Sequence, residues 1–236
     1  MKKEQEQKQK AYCNKCDDTG FILTKDDRGH DIYKPCKCRE MAKVQRIWES
    51  SGISVNDIDK TFKNFETWNK DINTMKEMAL NYFMRFEKLR ADRNNSIMLC
   101  GNPGCGKTHL SLALANKLLK DKSIGVVYMP YRDVITSLKQ NMLDEDYYKK
   151  TLDKYQKAEV LLIDDLYKGK ITESDVNIMF ELINHRYINK LPIIISTEHP
   201  VGELLRRDEA VGSRIYEMCK GYVMEIKGMN NNYRLK

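Results

Sequence analysis

The stretch Ile97-Met98-Leu99-Cys100-Gly101-Asn102-Pro103-Gly104-Cys105-Gly106-Lys107-Thr108 decides the fold. Its first four residues read as a short buried strand, and the eight that follow have the form G-x-x-x-x-G-K-[ST], opening a helical pattern over 107–120. Glycines let the backbone curl until its N–H groups converge on a phosphate, and the helix behind them presents its positive end to the same charge. Lys107 is spaced to reach the outer phosphates of a nucleoside triphosphate, and the Thr108 hydroxyl to ligate Mg²⁺. Gly101, Asn102, Pro103, Gly104, Cys105, Gly106 and His109 complete the cofactor-binding set; Cys105 reads as a small residue that fits the loop rather than as a nucleophile.

Outward from this loop, short apolar runs alternate with helical periodicity. Strands are expected at 126–129, 160–163, 193–196 and 222–226, and helices at 72–93, 131–142, 173–189 and 211–219. Five buried strands with helical crossovers make a three-layer αβα core around a parallel sheet. The charged, tyrosine-rich stretch 143–157 reads as a loop or an exposed helix. At the end of the run Val160-Leu161-Leu162-Ile163 stand Asp164 and Asp165. Asp164 is expected to hold magnesium and Asp165 to polarise the attacking water, because the carboxyl ends of such strands face the nucleotide. Thr197, with Ser196 close behind, leaves the neighbouring strand where a hydroxyl can orient that water.

Composition sets the outer limits. The chain has 236 residues, 41% hydrophobic and 32% charged, and Lys+Arg 41 against Asp+Glu 34 gives a net charge of +7. That balance is compatible with a polyanionic partner and establishes none. No apolar run approaches the ~18 residues of a membrane span and the polar start carries no export signal, so a cytoplasmic protein is expected. Four of the seven cysteines (Cys13, Cys16, Cys36, Cys38) crowd the first forty residues. In a reducing compartment clustered thiols read as metal ligands, and Cys-x₂-Cys with Cys-x-Cys suits two knuckles on one Zn²⁺. Four thiolates, or three plus the His30 imidazole, both fit the spacing. The expected organisation is a zinc module at 1–40, a connector at 41–66 with a helix near 41–49, and an ATPase domain at 67–236.

With these pieces in order, the chain resembles the AAA+ ATPases of the DnaC/DnaI helicase-loader and IstB transposition-helper group. The resemblance runs from about Ser51 to the last residue and rests on SGISVNDIDKTFKNF, GNPGCGKTH, VLLIDDL, TESDVNIMFELINHRY, IIISTEHPVGELLRRDEAVGSRI and the terminal NYRLK. It implies ATP hydrolysis between neighbouring subunits of a homo-oligomer on single-stranded DNA or on a DnaB-type replicative helicase. Arg214 falls where an arginine completes the neighbour's site, although some loaders carry a second arginine where this chain has Met218. Arg234 falls at the position that reaches the phosphates from the same subunit. The end of the sequence two residues later implies that a full helical lid is missing, leaving the adenine to residues near 58–65, where Phe62 and Phe65 also read as core. Lys168, Lys170, Thr172 and Ser174 fall where loaders and initiators touch DNA; Thr172 reads equally as a helix N-cap, and Val176 stands where some loaders have a stacking aromatic. Loaders of the DnaI type hold the helicase with a zinc-bearing N-terminal module. The implied cofactors are ATP, Mg²⁺ and Zn²⁺, and the implied function is loading of the helicase onto DNA, the alternative being IstB-like delivery of target DNA to a transposase.

Overall fold

Between the two cysteine pairs, Phe21-Ile22-Leu23-Thr24-Lys25 and Asp31-Ile32-Tyr33-Lys34-Pro35 form an antiparallel hairpin, β1 (Phe21–Lys25) with β2 (Asp31–Pro35). Its turn is made locally. Asp26 Oδ1 accepts from the N–H groups of Arg28 and His30 at 2.9 and 2.8 Å, and Gly29 takes the left-handed conformation at φ 84°. This computed structural model describes residues 13, 15–26, 28–36, 38–39, 51–54, 57 and 59–235. The chain divides into two compact units, 1–46 and 47–236, and the helix expected at 41–49 lies outside the described residues.

In the larger unit α1 (Lys70–Leu89) starts where the Asn69 side chain accepts from Ile72 N, and its buried residues Ile72, Met75, Ala79, Tyr82, Phe86 and Leu89 follow the helical period. Then come β3 (Ile97–Gly101), α2 (Lys107–Lys122), β4 (Val126–Pro130), α3 (Tyr131–Gln140), α4 (Glu145–Gln156), β5 (Val160–Leu166), α5 (Glu173–Ile188), β6 (Ile193–Thr197), α6 (Val201–Arg207), α7 (Glu209–Met218) and β7 (Val223–Ile226). The stretch 143–157 is therefore mostly helix: Asp144 caps α4, which buries only Leu152 and Tyr155. Helix α6 was not foreseen; seven residues after Pro200 are too few to show a period.

The sheet is five-stranded and wholly parallel, in the order β4-β5-β6-β3-β7. Strand β6 thus separates the phosphate-loop strand β3 from the acid strand β5. Alternate residues point to opposite faces. Leu99, Leu162 and Ile194 join the core under α1 and α2, while Met98, Ile163 and Ile195 join the core under α3, α5 and α7. Ile53, Phe62 and Phe65, from the expected connector, are buried in the first of these clusters. The fully buried Arg186 of α5 donates to the carbonyls of Tyr155, Gln156, Ala158 and Pro192 at 2.7–3.1 Å, tying two chain reversals at one edge of the core. Among the described residues no helix is long and apolar enough to cross a membrane.

Candidate functional site

Strand parity brings the chemistry together. Asp164 has the parity of Leu162 and Ser196 that of Ile194, so both side chains lie on the face where α2 packs. There Thr108 Oγ1, in the first turn of α2, donates to Asp164 Oδ1 at 2.9 Å, Ser196 Oγ donates to the same oxygen, and Tyr128 OH donates to Asp164 Oδ2 at 3.2 Å. Burial raises the Asp164 carboxyl above the usual carboxylate range, the three hydroxyls only partly opposing it. A threonine hydroxyl and a carboxylate side by side at a phosphate loop are the oxygen donors that suit Mg²⁺. Lys107 is buried, its Nζ donating to the carbonyls of Gly101 and Asn102 at 2.8 and 3.1 Å. Cys105 is wholly buried 4.0 Å from that amine, its thiol pushed up by burial, which suits a packing role.

A cavity of about 600 Å³ opens above the loop. It is lined by Pro103, Gly104, Gly106, Lys107, Thr108 and His109 of the loop and α2, by Asp165, Lys168 and Glu198, and by Asn64, Phe65, Glu66, Trp68, Tyr233 and Arg234. Glycine is required twice in the loop. Both Gly104 and Gly106 have positive φ, and a Cβ would meet Asn232 Oδ1 at 1.9 Å in the first case and Phe65 Cε2 at 2.6 Å in the second. His109 stands edge-on to Phe65 at 5.2 Å, and burial lowers its pKa, so it is a neutral imidazole whose Nε2 donates to Thr61 O at 3.1 Å.

The C-terminal segment was read from the sequence only for Arg234, yet it straps the loop. Tyr233 N donates to Gly104 O at 3.0 Å, the Tyr233 ring packs on Trp68 with centroids 5.2 Å apart, and its hydroxyl donates to Glu66 at 3.1 Å. Asn69 donates to the buried Asn231, fixing the strap to the start of α1.

Other candidates sit as follows. Thr197 Oγ1 is buried and donates to Leu166 O at 2.9 Å, so Ser196 is the hydroxyl that meets the acid pair: its Oγ also accepts from Asp165 N at 2.8 Å. Arg214 lies outside the cavity of its own chain, bonded to Asn184 and Ala210 and packed over Phe180 and Tyr187. Lys168 lines the cavity, whereas Lys170 is exposed on the loop before α5. Thr172 is the N-cap of α5 in a capping box with Asp175, and Ser174 is half-buried in its first turn.

In the smaller unit the sulfurs of Cys13, Cys16, Cys36 and Cys38 lie within 4.8 Å of one another. Zn–S bonds of ~2.3 Å in a tetrahedron put sulfurs about 3.8 Å apart. Cys13 and Cys36 are at 3.8 Å and Cys16 and Cys38 at 3.3 Å, so the set fits a four-thiolate zinc site. The Cys38 thiol is held above its usual range, first by its hydrogen bond with the Cys16 sulfur. His30 is not part of the group: it stands at the hairpin turn, its Nδ1 3.3 Å from Asp26.

Residues 36–236 match the family described as IstB-like ATP binding protein. The chain belongs to that family. This IstB-like chain is 40% identical to the protein YqaM of Bacillus subtilis strain 168 over 228 residues, which span 92% of the chain and 72% of YqaM. It is 37% identical to the phage-like element PBSX protein XkdC of the same organism over 233 residues, 95% and 86% of the two chains. Among solved structures, the DnaC helicase loader superimposes with a TM-score of 0.65 at 25% identity, covering 74% of the IstB-like chain and all of that structure. It is therefore an AAA+ P-loop ATPase of the group that also contains DnaA, DnaC and DnaI.

Proposed function

We propose that the chain couples ATP binding and hydrolysis to the delivery of DNA to a partner enzyme. The observation that carries this reading is the cavity in which Lys107, the Thr108–Asp164 pair and Asp165 converge at the carboxyl ends of β3 and β5. Lys107 leaves its two carbonyls for the outer phosphates, and Asp165 orients the attacking water. Thr108 and Asp164 would hold Mg²⁺, which would supply charge that offsets the phosphates. Arg214 faces away from its own cavity and serves a neighbouring copy in a homo-oligomer, so a lone chain turns over slowly. Lys170 and Thr172, exposed before and at the start of α5, contribute the phosphate contacts to single-stranded DNA.

The family match supports an IstB-like role, in which the partner is a transposase receiving target DNA. A second reading, loading of a DnaB-type replicative helicase, is favoured by two observations. The likeness to the DnaC loader spans the whole of that structure, and two of the four thiols precede the region shared with the family, as an added recognition piece would. The test is native mass spectrometry of the full chain with ATP, mixed in turn with a transposase and a DnaB-type helicase from the same genome. An ATP-dependent complex with the transposase supports the first reading and one with the helicase the second. No complex with either, with ATP binding intact, removes delivery as the function.

A further inference from the structure

Beyond β5 the backbone turns back on the acid pair. Asp165 and Tyr167 both take positive φ, 56° and 62°, a region disfavoured for any residue with a Cβ. Lys168 N donates to Asp165 O at 3.0 Å, closing the turn. This carries the Lys168 side chain over the carboxylate: its Nζ lies 2.6 Å from Asp165 Oδ2 and 3.7 Å from Glu198 Oε1, inside the cavity wall. The turn is pinned from below by Tyr167. That ring is buried edge-on to Tyr131 at 5.6 Å, and its carbonyl accepts from His199 Nε2 at 3.0 Å. Past the pin the chain is open. Gly169 and Lys170 are exposed, and a Cβ on Gly169 would meet no atom closer than 3.8 Å.

A carboxylate that orients water acts as a base, and an ammonium bonded to one of its oxygens lowers its basicity and fixes its orientation. Non-glycine residues held in sparsely populated backbone regions concentrate at functional sites and switch segments. Lys168 is also 46% exposed, so its pair with Asp165 is readily exchanged for another anion. We propose that Lys168 is a positioning residue that restrains Asp165 until a phosphate group draws the ammonium away. The phosphate has two possible sources, the outer phosphate of the bound nucleotide or the backbone of a DNA strand lying on residues 168–170. The restraint rests on the reading of Asp165 as the water-orienting acid. Lys168 thereby leaves the plain DNA-contact set and becomes the link between strand binding and turnover.

The test is steady-state ATP hydrolysis by the full chain with Mg²⁺, with and without a single-stranded oligonucleotide, for wild type, Lys168→Ala, Lys168→Arg and Asp165→Asn. Lys168→Ala raises kcat without DNA at least about threefold at nearly constant KM, and Lys168→Arg brings it back toward wild type. If DNA lifts wild type to the Lys168→Ala level, the strand is the source; if DNA does nothing and Lys168→Ala is still faster, the strand is not the source and the outer phosphate of the nucleotide draws the ammonium away in only part of the molecules. Unchanged or lower kcat in Lys168→Ala, with Asp165→Asn inactive, overturns the restraint. Wild-type turnover in Asp165→Asn overturns instead the assignment of the acid. ATP affinity gives a readout that needs no turnover. Asp165→Asn releases Lys168 to the phosphates and binds ATP several-fold more tightly, and the double variant Lys168→Ala/Asp165→Asn loses that gain; a gain that persists counts against the idea.

Discussion

Among the described residues of the cysteine unit, Cys16 and Cys36 are the only buried hydrophobic side chains, while Phe21, Leu23 and Tyr33 stand 40, 55 and 72% exposed. The ATPase unit instead covers both faces of its five-stranded sheet with helices and holds two apolar clusters. A segment as small as the first has too little apolar surface to offset the entropy of ordering its chain, so a metal on its four thiols would supply most of its order. The second has surplus burial, and the surplus lets it keep charged groups inside: Lys107, Asp164 and Arg186 are all buried. One unit spends its polar side chains on folding; the other spends apolar burial on holding a site.

The largest effect that separates the units is removal of one buried thiolate. Cys16→Ser is expected to lower zinc content from about one ion per chain to nearly none, and hydrogen exchange over 21–35 rises to the unprotected rate, since structural coordination supplies ~10 kcal/mol or more. The unfolding transition of the ATPase unit stays in place. A hairpin still protected without zinc would break the contrast. Next in size is Lys107→Ala, for which calorimetry should show ATP affinity reduced at least about 100-fold, ~2.7 kcal/mol, with the melting temperature held or raised. Equal affinity in the two proteins sinks the phosphate-loop assignment.

What the sequence revealed follows the same division. Strand β3, the loop after it and the acid strand are legible because each is a run of neighbours with its own period and composition. The cysteine spacing was enough for a cluster able to hold a metal but not for its fourth member, because His30 and Cys38 are told apart only by where the hairpin carries them. Ser196 over Thr197 was also within reach. Counting alternate residues lands on Ser196 from Ile194 and, on the same face of the next strand, on Asp164 from Leu162. The strap was beyond local reading: Asn69 meets Asn231 across 162 positions, and Tyr233 meets Trp68 in the same way. Arg186, charged and near the end of a helix, gives no sign in sequence that its guanidinium is buried.

Arg186 offers the third test, because it asks whether the ATPase unit also depends on a polar keystone. Burial lowers its pKa to about 9, still charged at neutral pH, and four backbone carbonyls replace the water it has lost. Arg186→Met keeps most of the volume but takes the guanidinium from the carbonyls of Tyr155, Gln156 and Ala158, while Pro192 O keeps Leu161 N, and urea unfolding should show a loss of about 3 kcal/mol. A neutral outcome would mean that water repairs the site and that apolar burial alone sustains this unit.

The smallest expected effect has the opposite sign. Asp164 is raised in the folded state by burial, so the folded chain holds the proton more tightly than the unfolded chain does. Its ionised form is therefore a cost at neutral pH, relieved as pH falls toward the folded pKa. Asp175 runs the other way. Burial pushes it up, but Lys139 at 2.8 Å and the Thr172 N–H together hold it below its ordinary value, so its contribution is lost as pH falls through the folded pKa. In Asp164→Asn the amide oxygen keeps Thr108 and Ser196 as donors, and the Tyr128 hydroxyl turns to accept from the amide nitrogen. Without nucleotide or metal, Asp164→Asn should melt a few degrees above wild type at pH 7, about 1 kcal/mol, while Mg²⁺-dependent turnover disappears. A lower melting temperature would show that the three hydroxyls favour the carboxylate enough to make the acid a structural asset, and that this unit does not sacrifice stability for its site at Asp164.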